Sequence, residues 1–347
     1  MLDDLNVIAQ RDPAGALGIA AKQPEQAVFD IKVVDPDHDH RPITSVVVAG
    51  MGGSALAALL VKLWLKQELK IPFEIVRSYD LPGYVNENTL VIADSYSGNT
   101  EETVSALDEA EARGAQVCVI DAGGTLEKRS NEQKIAYADM PAGLQPRMAV
   151  IYNLRALIAM LANFDVVPIE KLDEIASTSE WLFQESANWG PEVPIDKNYA
   201  KQLALQAVGK TGVFYGGTLT APLAYKWKIS WNENAKNVSW SNEYSEANHN
   251  EFIGWTSHPI EKPFAIFDLI SPLEHPQILK RFEISDRLLS GMRPKSTVVN
   301  LPGDTLLKQL LWGSILADFV SIYLAILNQV DPTPVPLIEK LKIELVA

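Results

Sequence analysis

Short apolar runs alternate with stretches of helix length from Ser45 onward, and this alternation constrains the fold more than any other feature of the chain. It is typical of an α/β fold, a doubly wound and mostly parallel sheet flanked by helices. The predicted strands of the first half are SVVVA, FEIVR, TLVIADS, QVCVIDA and KIAYADM. The predicted helices of this half are 55–66, 100–113 and 147–162. We therefore expect one such sheet in the first half.

A second block with the same alternation begins near residue 206. Its predicted strands are GVFYGG, PFAIFDLI and STVVNL, and its predicted helices are 219–231, 276–289, 306–327 and a short one from Pro336. The segment between the blocks is helical with polar interruptions such as NWGPEVPID, which is typical of a connection. We predict an N-terminal arm plus a first subdomain at 1–165, a helical connection at 166–205, and a second subdomain with C-terminal helices at 206–347.

The charge balance disfavours some classes of partner. The chain has 44 acidic and 30 basic residues, a formal net charge of −14, and no predicted helix or loop carries a cluster of Lys and Arg. Neither nucleic acid nor an anionic membrane suits such a chain. An anionic ligand would have to be held by local donors, such as N–H groups and hydroxyls at helix N-termini.

Three further features predict a cytoplasmic protein. Cys118, the only cysteine, lies in the apolar run QVCVIDA, where a thiol is usually a small core residue. The first ten residues, MLDDLNVIAQ, carry acids where a secretory signal has basic residues. The longest apolar run, 311–327, is short for a membrane span and contains Asp318, which favours a buried helix.

Two turns that follow predicted strands carry the residues suited to bind an anion. The first, GMGGS, places three glycines between a strand and a helix, where backbone N–H groups can converge on a phosphate. The spacing Gly50-x-Gly52-x-x-Ala55 also fits a dinucleotide-binding fingerprint. The second turn, SYSGNTEET, adds the hydroxyls of Ser95, Ser97 and Thr100. A capped helix explains Thr100 alone, whereas two further serines beside a glycine favour a phosphate site.

These two turns together resemble the phosphate-holding turns of sugar isomerase (SIS) domains. The segment KISWNENAKNVSWSNEYSEANHNEFIGW is similar to the one that marks the bifunctional phosphoglucose/phosphomannose isomerases, a family built from two SIS-type subdomains. The resemblance covers nearly the whole chain, including YDLPGYVNENTLVI and VSIYLAILNQVDPTPVPLIEKLK. It implies two doubly wound SIS-type subdomains, each with a mostly parallel sheet.

The resemblance also implies roles for individual residues. Glu233 of NENAK matches the base, His249 of NHNE matches the residue that opens the sugar ring, and Arg147 of QPRMA matches the arginine facing the oxyanion. The residues implied to hold the phosphate are Gly53, Ser54, Ser95, Ser97 and Thr100. Carboxylate, imidazole and guanidinium suit these roles chemically. Taken singly, each residue could equally be a surface or loop side chain.

The implied activity is an aldose–ketose isomerisation through a cis-enediol. It interconverts glucose 6-phosphate and mannose 6-phosphate with fructose 6-phosphate, with no metal and no other cofactor. The resemblance further implies a homodimer in which His249 reaches the partner's active site. The sequence departs from some archaeal members at Tyr323, which stands where they carry a lysine, and we expect Tyr323 to be at most a binding residue.

Other classes of function remain open at this point. A non-catalytic SIS module that senses a sugar phosphate would keep both turns without requiring Glu233 and His249 together. A nicotinamide enzyme would need an acid nearer the glycine turn than Asp80. His38 and His40 lie in the polar segment DPDHDHRP without a zinc-site pattern, so we expect a solvated loop there.

Overall fold

A computed structural model describes residues 1–257 and 262–345 of the chain. Its strands are β1 Lys32–Val34, β2 Ser45–Gly50, β3 Phe73–Val76, β4 Thr89–Ser95, β5 Gln116–Asp121, β6 Tyr137–Asp139, β7 Thr211–Gly216, β8 Ser239–Glu243, β9 Phe264–Ile270 and β10 Thr297–Asn300. Its helices are α1 Leu5–Arg11, α2 Ala16–Ala21, α3 Gln23–Gln26, α4 Gly52–Trp64, α5 Glu101–Ala112, α6 Gly124–Gln133, α7 Val150–Asn163, α8 Lys171–Ala176, α9 Ser179–Ala187, α10 Tyr199–Gln206, α11 Ala221–Glu233, α12 Glu251–Gly254, α13 Pro276–Leu288, α14 Leu306–Leu327 and α15 Pro336–Leu345. Two 3-10 turns lie at Pro146–Met148 and Glu246–His249.

The first sheet contains six strands in the order β1-β6-β5-β4-β2-β3. All neighbouring pairs are parallel except β1 with β6. The central strands β2 and β4 are buried along their whole length, as expected for a sheet covered on both faces. The register places Gly50 opposite Asp94, so these two strands end at the same edge of the sheet.

The second sheet repeats the strand arrangement of the first. Its order is β10-β9-β7-β8, and every pair is parallel. The first strand of this block lies between the second strand and the third, just as β2 lies between β3 and β4. The predicted α/β fold with two parallel-sheet halves is therefore confirmed. The two halves resemble each other in the order and direction of their strands.

The chain forms two compact units. The first unit comprises Gln23–Trp181, and the second unit comprises Met1–Lys22 together with the described part of Leu182–Ala347. The N-terminal helices α1 and α2 thus belong with the second sheet. The domain boundaries predicted at 165 and 205 stay predictions.

The long apolar helix α14 lies in the core of the second unit. By length and composition it could cross a membrane, yet 94% of its most apolar window is buried inside the structure. An aromatic cluster joins β7, β9 and α11 nearby. Phe214 and Phe267 stack on each other at a centroid distance of 5.6 Å, and their rings lie 4.9–5.7 Å from those of Trp227 and Trp231. The predicted buried helix at 306–327 matches the bounds of α14.

Helix α6 and strand β8 are among the elements that the sequence analysis does not predict. The sequence pattern does not predict helix α6, because only Leu126 and Ser130 of its ten residues are buried and its apolar periodicity is correspondingly weak. It does not predict strand β8 either, since SWSNE contains little apolar sequence. This strand pairs in parallel with β7 at the edge of the second sheet, where polar residues are tolerated.

Candidate active site

The first turn connects β2 to α4 through Gly50–Ser54. A Cβ on Gly50 would lie 2.7 Å from the carbonyl oxygen of Asp94, and a Cβ on Gly53 would lie 2.9 Å from the carbonyl oxygen of Pro146. Gly52 adopts a positive φ of 53°. Glycines are needed here because the neighbouring backbone approaches closely and one residue is left-handed.

Helix α4 begins directly in this turn. Its N-cap residue is Met51, whose side chain makes no capping hydrogen bond. The first N–H groups of the helix therefore keep the capacity to bind an anion. Ser54 follows within the first turn of the helix, and its side chain is buried.

The second turn connects β4 to α5 and clusters three hydroxyls. Ser95 Oγ lies 2.7 Å from Thr100 Oγ1 and 3.4 Å from Ser97 Oγ. Thr100 is the N-cap residue of α5, yet within the described part of the chain its side chain makes no capping hydrogen bond and faces Ser95 instead. Simple helix capping therefore does not explain Thr100. Since β2 and β4 are neighbours, both turns emerge at the same edge of the first sheet.

A third turn, residues 122–125 at the junction of β5 and α6, supports the second turn. Sequence reasoning missed it. Asn99 Oδ1 accepts hydrogen bonds from the backbone N–H of Thr125 at 2.9 Å and from its hydroxyl at 2.8 Å. Gly98 has φ 63°, and a Cβ there would lie 1.7 Å from the carbonyl oxygen of Gly123. The signal was present in the Gly-Gly pair that follows the predicted strand QVCVIDA.

Arg147 lies in the 3-10 turn that packs on the first glycine turn. Its side chain is buried, and its Nη1 donates to Gln145 Oε1 at 3.2 Å. The next residue, Met148, accepts a hydrogen bond from Gln26 Nε2 at 2.8 Å through its carbonyl oxygen. Because Gly53 contacts the Pro146 backbone, the glycine turn and the Arg147 turn are held against each other.

A buried carboxyl group lies beneath the two turns. Asp94, the residue before Ser95, is fully buried, and this burial raises its pKa to about 7 although hydrogen bonding from Asn153 and Ser54 opposes the rise. Asp121, at the end of the neighbouring strand β5, also has a pKa raised by burial to about 7. Both carboxyls are inside the sheet edge, where they are shielded from solvent.

Glu233 is the last residue of α11 in the second unit and is half-buried. Helix α11 is fastened to α14 by polar contacts as well as by aromatic packing. Lys226 Nζ lies 2.6 Å from Asp318 Oδ1, and Ser230 Oγ donates to the same oxygen at 2.8 Å. Asn234, which follows Glu233, donates to Ser321 Oγ at 2.9 Å. These contacts define the position of the Glu233 end of the helix.

His249 ends the 3-10 turn that follows β8 and exposes its side chain. The preceding residue anchors this turn, because Asn248 donates to Ser285 Oγ at 2.9 Å and accepts from Arg281 Nη1 at 3.1 Å. The imidazole therefore projects from a loop with a defined backbone.

Tyr323 is fully buried in the second unit. Its hydroxyl donates to the carbonyl oxygen of Trp189 at 2.7 Å, and Lys201 Nζ lies 5.6 Å from its ring centroid. Burial raises the pKa of this hydroxyl above its ordinary value. This placement favours a packing role for Tyr323 over the binding role considered from the sequence.

The predicted site residues fall into two groups. The structure places Gly53, Ser54, Ser95, Ser97, Thr100 and Arg147 around the edge of the first sheet, and Glu233, His249 and Tyr323 in the second unit.

His38, which was considered as a metal ligand, packs its ring 4.6 Å from the ring of Phe164. The described residues contain no group of three or more His, Cys, Asp or Glu side chains arranged to hold a metal ion.

Two family models match the chain, one over each sheet. A model described as SIS domain matches residues 41–164, and a model described as bacterial phospho-glucose isomerase C-terminal SIS domain matches residues 196–345. The fold and the two turns thus define a protein with two SIS domains.

Similar proteins narrow the assignment. The bifunctional phosphoglucose/phosphomannose isomerase of Caldicellulosiruptor bescii is 38% identical over 304 residues, covering 86% of this chain and 89% of that protein. The protein of the same name from Aquifex aeolicus is 32% identical, covering 88% and 92%. A glucose-6-phosphate isomerase like protein from Thermus thermophilus, known as a crystal structure, has a TM-score of 0.65 at 20% identity over 98% of both chains. The chain belongs to the bifunctional phosphoglucose/phosphomannose isomerase family.

Proposed function

We propose that this chain is an aldose–ketose isomerase that interconverts glucose 6-phosphate and mannose 6-phosphate with fructose 6-phosphate. Membership of the family supports the reaction class. The observation that carries the proposal is the pair of adjacent turns, which bring hydroxyls and helix N–H groups to one edge of the first sheet. Such donors suit a phosphate monoester in a chain whose net charge is −14.

The phosphate of the substrate binds to Gly53, Ser54, Ser95, Ser97 and Thr100 in this proposal. Backbone N–H groups come from the start of α4 and hydroxyls come from the second turn. The helix dipoles of α4 and α5 both favour an anion there. The phosphate takes no part in the proton transfers, so its role is to hold the sugar in place.

Proton transfer is assigned to Glu233. Its carboxylate takes the proton from C2 of the open-chain aldose, and the electron pair of that C–H bond forms the C1–C2 double bond of the enediolate. The guanidinium of Arg147 stabilises the negative charge that develops on the oxygen at C1. Transfer of the hydroxyl proton from O2 to O1, followed by return of the proton from Glu233 to C1 while the C2 carbonyl forms, gives the ketose. His249 moves the proton that opens the cyclic sugar.

Activity toward both aldoses has a chemical reason. Glucose 6-phosphate and mannose 6-phosphate differ only in configuration at C2, which becomes planar in the cis-enediol. One base therefore serves both epimers where the pocket accepts either. Neither a metal nor another cofactor is required by this route.

The same proposal includes a cytoplasmic homodimer in which His249 acts in the partner's active site. The exposed position of His249 on an anchored turn supports this arrangement. The buried position of α14 supports a soluble chain.

A coupled assay tests the function directly. Purified protein is given fructose 6-phosphate with a chelator present, and formation of both aldose 6-phosphates is followed. We expect both products. A protein that binds fructose 6-phosphate in a thermal-shift measurement without forming either aldose would be a sensing module instead. A thermal shift with NAD would point to a nicotinamide enzyme.

A further inference from the structure

The turn between β7 and α11, residues 217–220, repeats the hydrogen-bond pattern of the first turn. The carbonyl oxygen of Met51 accepts from the N–H groups three and four residues further along the chain, at 3.1 and 3.4 Å. The carbonyl oxygen of Gly217 does the same at 3.1 and 2.9 Å. Leu219 therefore corresponds to Gly53, one of the residues proposed to bind the substrate phosphate.

The turn between β9 and α13 corresponds in the same way to the second turn. Strands β7 and β9 are parallel neighbours as β2 and β4 are, and five residues separate the later strand from the next helix in each unit, 96–100 and 271–275. Counted from the strand ends, the hydroxyl positions of the second turn, Ser95, Ser97 and Thr100, become Ile270, Pro272 and His275. None of these three side chains carries a hydroxyl, so this turn lacks the hydroxyl donors that suit a phosphate.

Glu274, the residue before His275, brings a carboxyl group to the β7–α11 turn instead. The backbone N–H of Leu219 donates to Glu274 Oε1 at 2.5 Å, and a Cβ on Gly217 would overlap the same oxygen. Glu274 is only 4% exposed, so its carboxyl lies inside the turn. Burial raises the pKa of this carboxyl, but its oxygen accepts the hydrogen bond whether or not the group is ionised.

We infer that the Glu274 carboxyl fills the phosphate position of the second SIS domain and excludes a sugar phosphate from it. This inference rests on the proposed function, because it takes the first turn as the phosphate site. The N–H groups at a helix start need acceptors, and an anion or a carboxyl oxygen meets that need equally well. A phosphate oxygen would have to displace Glu274 Oε1 from the Leu219 N–H. Each chain then has one phosphate site, at the edge of the first sheet.

Removal of the carboxyl tests the inference. Equilibrium dialysis against radiolabelled inorganic phosphate at pH 8 counts the ions bound per chain, over concentrations that extend well beyond saturation of the unsubstituted protein. We expect one phosphate per unsubstituted chain. Glu274→Ala protein should bind a second, weaker phosphate, because the Leu219 N–H and the space beside it lose their occupant.

Two matched variants are the controls. Glu274→Gln keeps the volume of the side chain, and its amide oxygen can accept from the Leu219 N–H, so this protein should bind one phosphate. Glu283→Ala makes the same substitution as Glu274→Ala at an exposed glutamate of α13 and should also bind one. These controls separate occupation of the turn from the general effect of removing a carboxyl from an acidic chain.

A second measurement leaves Glu274 in place. The double variant Ser97→Ala/Thr100→Val should weaken phosphate binding about tenfold or more, because hydrogen bonds to the ion are lost at the first sheet. No phosphate should remain bound with the affinity of the unsubstituted protein. This result decides the inference even where Glu274→Ala protein fails to fold.

The outcomes distinguish this inference from the proposed function. Folded Glu274→Ala protein that binds no more phosphate than Glu283→Ala protein would refute the inference. So would a phosphate that stays bound with unchanged affinity in the Ser97→Ala/Thr100→Val variant while a second phosphate is lost. An unsubstituted chain that forms no aldose from fructose 6-phosphate would refute the function, and the phosphate counts do not depend on that turnover.

Discussion

Ser97 presents the exposed hydroxyl of the second turn. It lies 3.4 Å from both Ser95 Oγ and the backbone nitrogen of Asn99, so its own contribution to the fold is small. A hydrogen bond to a charged group contributes about 1.5–3 kcal/mol, and Ser97→Ala should therefore raise the KM for each hexose phosphate about tenfold or more. Steady-state kinetics checks this, with exposed Ser78→Ala as the control. An unchanged KM would remove Ser97 from the phosphate site.

Substitution of Glu233 and substitution of His249 should impair different steps of catalysis. Glu233→Gln keeps the size of the side chain and removes the base, so kcat should fall about 10²–10⁴-fold while phosphate binding persists. His249→Ala protein should lose activity toward the cyclic substrate and keep part of its activity toward the open-chain sugar. Exchange of C2 deuterium with solvent reports the base directly. Exchange at the parent rate in Glu233→Gln protein would shift the assignment to Glu243, Glu246 or Glu251.

The contact between α11 and α14 depends on a buried ion pair. Lys226 and Asp318 are both fully buried, and removing one partner of such a pair typically costs about 3–5 kcal/mol because the other charge is left without compensation. Lys226→Met should destabilise the protein by this amount in urea unfolding. The double variant Lys226→Met/Asp318→Leu should lose less, since neither charge remains buried.

An ion pair on the surface provides the control for the loss of stability expected from breaking the buried pair. Lys340 and Glu344 of α15 lie 3.6 Å apart with most of both side chains exposed. Lys340→Met should change the free energy of unfolding by less than about 1 kcal/mol. Equal losses from Lys226→Met and Lys340→Met would contradict the importance of the buried pair.

Buried aspartates make the stability of the whole molecule depend on pH. Burial raises the pKa of Asp94, Asp121 and Asp268 to about 7. An unfolded aspartate loses its proton near pH 4, as the reference value indicates. Between these values the folded protein holds protons that the unfolded chain has released. This contribution to stability is therefore full below about pH 4 and is lost as the pH rises to about 7.

Asp121→Asn should remove part of this pH dependence. The variant cannot release a proton on unfolding, so its urea midpoint should fall less between pH 5 and pH 7.5 than that of the unsubstituted protein. Asp196→Asn makes the same chemical substitution at an exposed aspartate and serves as the control. Parallel pH profiles for Asp121→Asn and the unsubstituted protein would contradict the argument.

Assembly of the proposed dimer can be tested by subunit exchange. Inactive Glu233→Gln protein is mixed with inactive His249→Ala protein. If His249 acts across the interface, each hybrid has one site with both residues intact, and random exchange should restore about a quarter of the parent activity. No recovery after exchange has been verified by mass spectrometry would favour a site formed within one chain.

Local patterns determined much of this protein from the sequence alone. The apolar runs TLVIADS and 306–327 coincide with β4 and α14, because a fully buried strand or helix must be apolar along its length. The glycines and hydroxyls of the two turns were equally visible, since a strand-to-helix turn that binds phosphate needs them within a few residues. Fold class follows from such short-range features, whereas the family and the candidate phosphate residues came from the resemblance of these short segments to SIS domains.

Contacts between distant parts of the chain were decided only by the tertiary structure. The link from Ser54 to Asp94 and Asn153, the support of the second turn by 123–125 and the burial of Tyr323 join residues far apart in sequence. Periodicity reports whether a residue is buried but not what it is buried against. The same reason explains why helices α1 and α2 could not be assigned to the unit of the second sheet before the fold was known.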